Sequence, residues 1–180
     1  MAQVVFLRGV NVGGYKTFRP SLLAKQMEEY GVINVGAAGT FVVRKPIGQA
    51  KLRAEFTRRL PFEPDIMICS GRDIVDIASA SPFGGEPCGA DIVRFVSVLS
   101  KRPGGSPSLP LNLPSDDEWI LRLVAIRDRF AFGLYRRQMR AISYLGQIDK
   151  ILNTRATTRN WNTINAIAKI LKAGRDNSNR

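Results

Sequence analysis

The chain of 180 residues contains no histidine. That removes the commonest general base and the commonest metal ligand together, and with them Ser-His-Asp and Cys-His catalysis and zinc sites rich in histidine. Only two cysteines occur, Cys69 and Cys88. They allow neither a disulfide framework nor a paired metal spacing. Cys69 sits in the apolar stretch "DIMICS" and reads as buried and inert. No apolar run approaches the roughly 18 residues that would span a bilayer. The start, "MAQVVFLRGV", lacks a basic leader and a small-residue cleavage site, so the expected location is the cytoplasm, without a membrane. Neither a metal nor another cofactor is expected, and the missing catalytic motifs point away from an enzyme. Carboxylates, lysine, tyrosine and backbone amides remain for any chemistry. The acidic run Asp116, Asp117, Glu118 reads as a solvated loop end rather than a hard-cation site.

Acidic residues are scarce in one part of the chain. Residues 119–180 carry thirteen Lys/Arg against three acids, whereas residues 1–118 are nearly balanced, and the net charge is +12. Such a basic half suits an anionic partner, with nucleic acid the usual candidate; a solvated basic surface is the plainer reading. Arg136, Arg137 and Arg140 follow the strand-like "RFAFGLY". If the strand ends at Tyr135 they share one edge and form a candidate nucleic-acid contact.

Hydrophobic residues make up 44% and charged residues 23%, ordinary values for a globular chain. Periodicity predicts a strand in "QVVFLRG", a helix in "RPSLLAKQMEEYG", strands in "INVGA" and "TFVVRK", a helix in "GQAKLRAEFTRRL" and a strand in "PDIMICS". This order is that of the ferredoxin-like split βαβ pattern. A third helix, "GRDIVDIASASPF", ends at the Ser81–Pro82 step. The strand "DIVRFVSVLS" follows, then a proline-rich irregular connection over "KRPGGSPSLPLNLPSDDE". A hairpin turning near Arg127–Asp128 comes next, and helices in "SYLGQIDKILN" and "NWNTINAIAKILKAG" close the chain. The expected organisation is a ferredoxin-like subdomain over residues 1–83 and a second α+β subdomain over 84–180, packed as one unit.

The stretch "VVFLRGVNVGGYKT" invites comparison with a phosphate-binding loop. That loop needs Gly, four residues, then Gly-Lys-Ser/Thr. Gly9 and Gly14 have the spacing, but Tyr15 stands where the lysine belongs. The dinucleotide fingerprint fails as well, because Gly9-Val10-Asn11 is not Gly-x-Gly. Two readings remain. Gly13 and Gly14 supply positive φ angles for a turn, or the turn's amides form an anion-binding nest flanked by Arg8 and Lys16, with Asn11 beside it.

Three stretches carry a resemblance. "LRGVNVGG" resembles the Arg-Gly-Ile-Asn-Val-Gly-Gly signature of the domain of unknown function 1697 family of bacterial proteins. "SPF" resembles that family's Asn-Pro-Phe step, and "TTRNWNT" resembles its Thr-x-Arg-Asn-Trp-Asn-Thr signature. The likeness implies an α+β fold of two ferredoxin-like (βαββαβ-type) subdomains with antiparallel sheets. It brings no established activity. One departure stands out: where the family has a Gln-Ser-Gly-Asn hairpin, this chain has Ala37 to Thr40, "AAGT", and a site using that hairpin's polar groups is in question.

In the last segment, Trp161, Ile164, Ala168 and Leu171 share one helical face, which makes Trp161 a core anchor. Thr158 or Asn160 is the expected N-cap. Arg159, Asn160 and Asn162 at the helix start then make a candidate anion site, because unpaired amides and the helix dipole favour negative charge. Facing the Gly-rich loop, they complete a candidate binding module for a nucleotide or nucleic acid. The alternatives are an enzyme acting on a phosphorylated small molecule and a basic protein-interaction domain. A weaker echo of RNA-recognition motifs places Phe6 and Phe41 on central strands, where base stacking needs an open face.

Overall fold

β1 (Gln3–Arg8) is covered on both faces, since Val4, Val5, Phe6 and Leu7 are all fully buried. β-Branched and aromatic side chains suit such a strand. The structure is a computed structural model, and it describes residues 1–180 apart from 106, 116, 117 and 177–180, so Asp116 and Asp117 lie outside the described residues. α1 (Pro20–Gln26) starts at a proline, whose missing N–H has no partner to lose in a first turn. A short 3-10 turn, Glu28–Tyr30, ends at Gly31 with φ 63°, a left-handed conformation that glycine adopts without strain. β2 (Val32–Asn34), β3 (Thr40–Val43), α2 (Gln49–Arg59), β4 (Asp65–Ser70) and α3 (Gly71–Ser79) follow.

The four strands form an antiparallel sheet in the order β2-β3-β1-β4. On one face Val5, Leu7, Phe41 and Val43 pack with Leu23, Met27, Leu52 and Phe56 from the helical segments. Register decides the RNA-recognition reading. Val5 lies opposite Phe41 and Phe6 opposite Thr40, so the two phenylalanines point to opposite faces of the sheet. Both are fully buried, and neither offers a platform for bases.

The chain divides into two compact units, one of Met1–Ser79 with the chain from Asn165 onward, the other Ala80–Ile164. The second unit contains β5 (Ile92–Leu99), β6 (Leu111–Leu113), β7 (Leu121–Arg127), β8 (Phe130–Arg136), α4 (Arg140–Leu145), α5 (Ile148–Ile151) and β9 (Ala156–Asn160); α6 (Trp161–Asp176) begins in it. Its sheet is antiparallel with the order β6-β7-β8-β5-β9. The fold class is therefore α+β. The second unit does not repeat the element order of the first, since no helix separates β5 from β6 among the described residues.

Two strands lie where the sequence predicts none. β6 falls inside the proline-rich connection, between Pro110 and Pro114, and it is an edge strand, where a missing proline N–H breaks no ladder. β9 occupies "ATTRN", of which only Asn160 is expected in an element, at the start of the last helix, and pairs with β5. Its polar side chains are accommodated there; the hydroxyls of Thr158 and Ser97 are 2.7 Å apart. The helix expected over "SYLGQIDKILN" is two short helices parted at Gly146–Gln147. The β7–β8 hairpin turns through Asp128, at φ 52°, as expected.

One glycine is required by packing. Gly133 of β8 faces Phe95 of β5, and a Cβ there would lie 2.5 Å from Phe95 Cζ and 2.6 Å from the Arg122 carbonyl oxygen. The register of β7 on β8 shifts beside it, between Leu123 and Ala125.

Candidate anion-binding cleft

In the Gly-rich loop, Val12 and Tyr15 pair across a turn, and the Tyr15 N–H donates to the Val12 carbonyl at 2.9 Å. Gly13 and Gly14 are the two central residues, with φ of 55° and 77°. Two successive positive φ values are what a two-residue reverse turn of this type demands, and glycine meets them at least cost. Asn11, itself at φ 55°, ties the turn down. Its Nδ2 donates to the Ala37 carbonyl at 3.0 Å, and its Oδ1 accepts the Phe18 N–H at 2.9 Å. The Asn11 N–H donates to the Lys16 carbonyl at 3.2 Å. Lys16 Nζ donates to the Glu63 carbonyl at 3.2 Å, and Arg8 pairs with Asp65 at 3.6 Å. The amides of Asn11, Tyr15 and Phe18 are thus donated within the protein rather than held open for an anion. The "AAGT" segment contributes carbonyls, with Gly39 accepting the Leu7 N–H at 2.8 Å.

Arg159 is placed differently from its expectation. It belongs to β9, not to the helix start, and is only 6% exposed. Its Nη1 donates to Thr157 Oγ1 and to the Thr158 carbonyl, each at 2.9 Å. Loss of hydration on burial pulls its pKa down to about 10. The guanidinium is thus held inward by its own strand. The cap of α6 is Asn160, whose Oδ1 accepts the Thr163 N–H at 3.0 Å and the Thr163 hydroxyl at 2.9 Å. Thr158 is not the cap, because it lies three residues before the first helical residue, Trp161, and its hydroxyl meets that of Ser97.

The start of α6 opens onto a cleft of about 290 Å³ lined by Arg94, Arg137, Asn160, Trp161 and Asn162, with Cys88, Gly89, Ile92 and Val93 completing the wall. Strand pairing explains the meeting: Asn160 ends β9 opposite Phe95, one residue after Arg94 on β5, and Arg137 follows the end of β8, which is β5's other neighbour. Trp161 is half-buried rather than sealed in the core. Its ring packs edge-to-face on Phe83 at 5.1 Å and on Phe132 at 6.4 Å. Arg94 lies over Phe83, 5.4 Å from the ring centre, which orients its guanidinium. Neither Arg94 nor Arg137 has a carboxylate in ion-pair range among the described residues. The nearby Asp91 pairs with Arg136 at 3.2 Å.

The three arginines expected on one edge do not share one element. β8 runs on to Arg136, which donates to the Trp119 carbonyl at 3.0 Å and stacks on the Trp119 ring at 4.8 Å. Arg137 lines the cleft, and Arg140 is exposed as the first residue of α4. Arg136 is engaged with Trp119 and Asp91. Sequence reasoning missed Arg94, although a lone charge inside the otherwise mostly apolar "IVRFVSVL" is a detectable signal.

Residues 1–112 match the model of a family described as "Protein of unknown function (DUF1697)". The chain belongs to this family. The family match includes Arg94 and stops before Arg137 and the start of α6. No curated protein matches the chain. Among solved structures, it is similar to the conserved bacterial protein SP0830 from Streptococcus pneumoniae, at 16% identity and a TM-score of 0.59. That likeness covers 94% of this chain and 98% of the other. At this identity it shows a shared fold. Among the described residues, no helix is long and apolar enough to cross a membrane.

Proposed function

We propose that this member of the DUF1697 family is a cytoplasmic binding protein for a small phosphate-bearing molecule of the nucleotide class, held in the cleft of the second unit. One observation carries the reading: Arg94 and Arg137 converge with the capped start of a 16-residue helix and the Trp161 ring on one concavity. Guanidinium groups take phosphate oxygens in bidentate fashion, and the first-turn amides of α6 add donors and a favourable dipole. Asn162 adds an amide, and the half-buried indole offers an apolar wall to the rest of the ligand. Free thiols at Cys69 and Cys88 fit a reducing compartment. The reading does not use the Gly-rich turn of the first unit, where the Asn11, Tyr15 and Phe18 amides and the Asn11 side chain are engaged within the protein.

Isothermal titration with inorganic phosphate and with adenosine monophosphate tests it. Arg94→Gln and Arg137→Gln should each weaken binding by about 1.5–3 kcal/mol, the worth of one charge-assisted contact, with the thermal midpoint unchanged. Binding equal to the parent protein in both variants would remove the cleft as the site.

A further inference from the structure

The β5–β9 pair has a second end. Near the cleft Phe95 faces Asn160; at the far end Leu99 faces Ala156. There a groove of about 570 Å³ is lined by Ser100, Lys101, Asp149, Lys150, Asn153, Thr154 and Arg155. Its walls are held by their own hydrogen bonds. The Ser100 N–H donates to the Arg155 carbonyl at 2.8 Å, the Thr154 N–H to the Asp149 carbonyl at 3.1 Å, and the Ser100 and Thr154 hydroxyls are 3.0 Å apart. Asp149, the one acid of the groove, accepts the Ala156 N–H at 3.1 Å and is half-buried. Lys101, Lys150 and Arg155 are exposed, and neither lysine has an ion pair among the described residues. Arg129 adds charge at the rim, donating to the Ser100 carbonyl at 3.4 Å.

We infer that this groove binds the phosphate backbone of a nucleic-acid duplex without reading its sequence. The lining selects the partner. No apolar or aromatic side chain belongs to it, so a docking protein finds no anchor of the kind that dominates such interfaces. A single strand needs rings on which its bases stack, and the groove has none. Lys, Arg, Ser, Thr and Asn around a fixed backbone are the groups that contact duplex phosphates. The inference is independent of the cleft, which lies at the opposite end of the strand pair and uses other residues.

The test is fluorescence anisotropy of a labelled short DNA duplex across a salt series, with a duplex RNA, a single strand and polyglutamate as competitors. Each neutralised duplex phosphate contributes about 0.9 to the slope of log K against log salt. The combined variant Lys101→Gln, Lys150→Gln, Arg155→Gln should flatten the slope by about two to three units, whereas Lys25→Gln, at an exposed lysine of α1, should leave it unaltered. If the combined variant unfolds, Lys101→Gln and Lys150→Gln singly should each flatten it by about one unit. Competition by duplex RNA as well as by DNA supports the inference, because the backbone chemistry is shared. An unaltered slope in a folded variant, stronger competition by the single strand or by polyglutamate, or absence of duplex binding at low salt would overturn it.

Discussion

The two polar motifs at opposite ends of the chain look alike as text and behave differently as structure. In "RGVNVGGYK" the asparagine side chain is engaged at both ends, the lysine reaches a carbonyl, and the arginine pairs with an acid. In "TTRNWN" the arginine turns inward, while Asn160, Trp161 and Asn162 border open space. The difference follows from local geometry. The hairpin turn closes on itself through the Asn11 and Tyr15 amides, and its side-chain donors reach the Ala37 and Glu63 carbonyls. A helix start leaves first-turn amides unpaired whatever its sequence, so a strand that ends there delivers side chains beside spare donors. A run of glycine, asparagine and arginine therefore marks a place where the backbone is constrained, and only the element that follows decides whether anything is left for a ligand.

Three variants sharpen or break this contrast. The largest effect is expected from Arg159→Ala. It removes a buried side chain and leaves the Thr157 hydroxyl and Thr158 carbonyl short of a donor. Urea unfolding should show a loss of about 2–4 kcal/mol, in the range of cavity formation combined with unsatisfied polar groups. A variant as stable as the parent but weakened in phosphate binding would put Arg159 back among the ligand groups. Next comes Asn11→Ala, which deletes two hydrogen bonds and leaves an alanine at positive φ. A loss of about 2–3 kcal/mol is expected, from roughly 1 kcal/mol for each bond and about 1 for the left-handed backbone. Its phosphate titration should match the parent's; weaker binding by a stable Asn11→Ala protein would break the comparison. The smallest effect belongs to Asn160→Ala, where losing the cap should cost about 1 kcal/mol, and Asn160→Asp should restore most of it. Equal stability of all three proteins in urea would deny Asn160 the capping role.

Much of the first unit was legible because its elements announce themselves locally. Gln3–Arg8 and Asp65–Ser70 are apolar runs of strand length, Pro20 opens a helix, and Gly31 stops one. The second unit hid two strands for separate reasons. β6 is three residues long between prolines, and proline argues against a strand unless its place at an edge is known. β9 is threonine, arginine and asparagine, whose extended form is imposed by pairing with β5, a tertiary preference that no local window contains. The cleft was legible only in pieces. Asn160 and Asn162 emerged from helix-start reasoning and Arg137 from charge counting, while Arg94 was hidden in an apolar strand. What joins them is the register of β5 on its two neighbours.

The contact between Gly133 and Phe95 makes those two positions one shared volume. The aromatic ring lies over the bare backbone of the facing strand, an aromatic rescue that returns to glycine the packing its missing side chain forgoes. Neither residue is then a free choice. A larger group at 133 meets a backbone oxygen as well as the ring, so trimming Phe95 relieves only half of the collision. The ring can shrink and leave a void, but the glycine cannot grow while the neighbouring strand's backbone stays where it is.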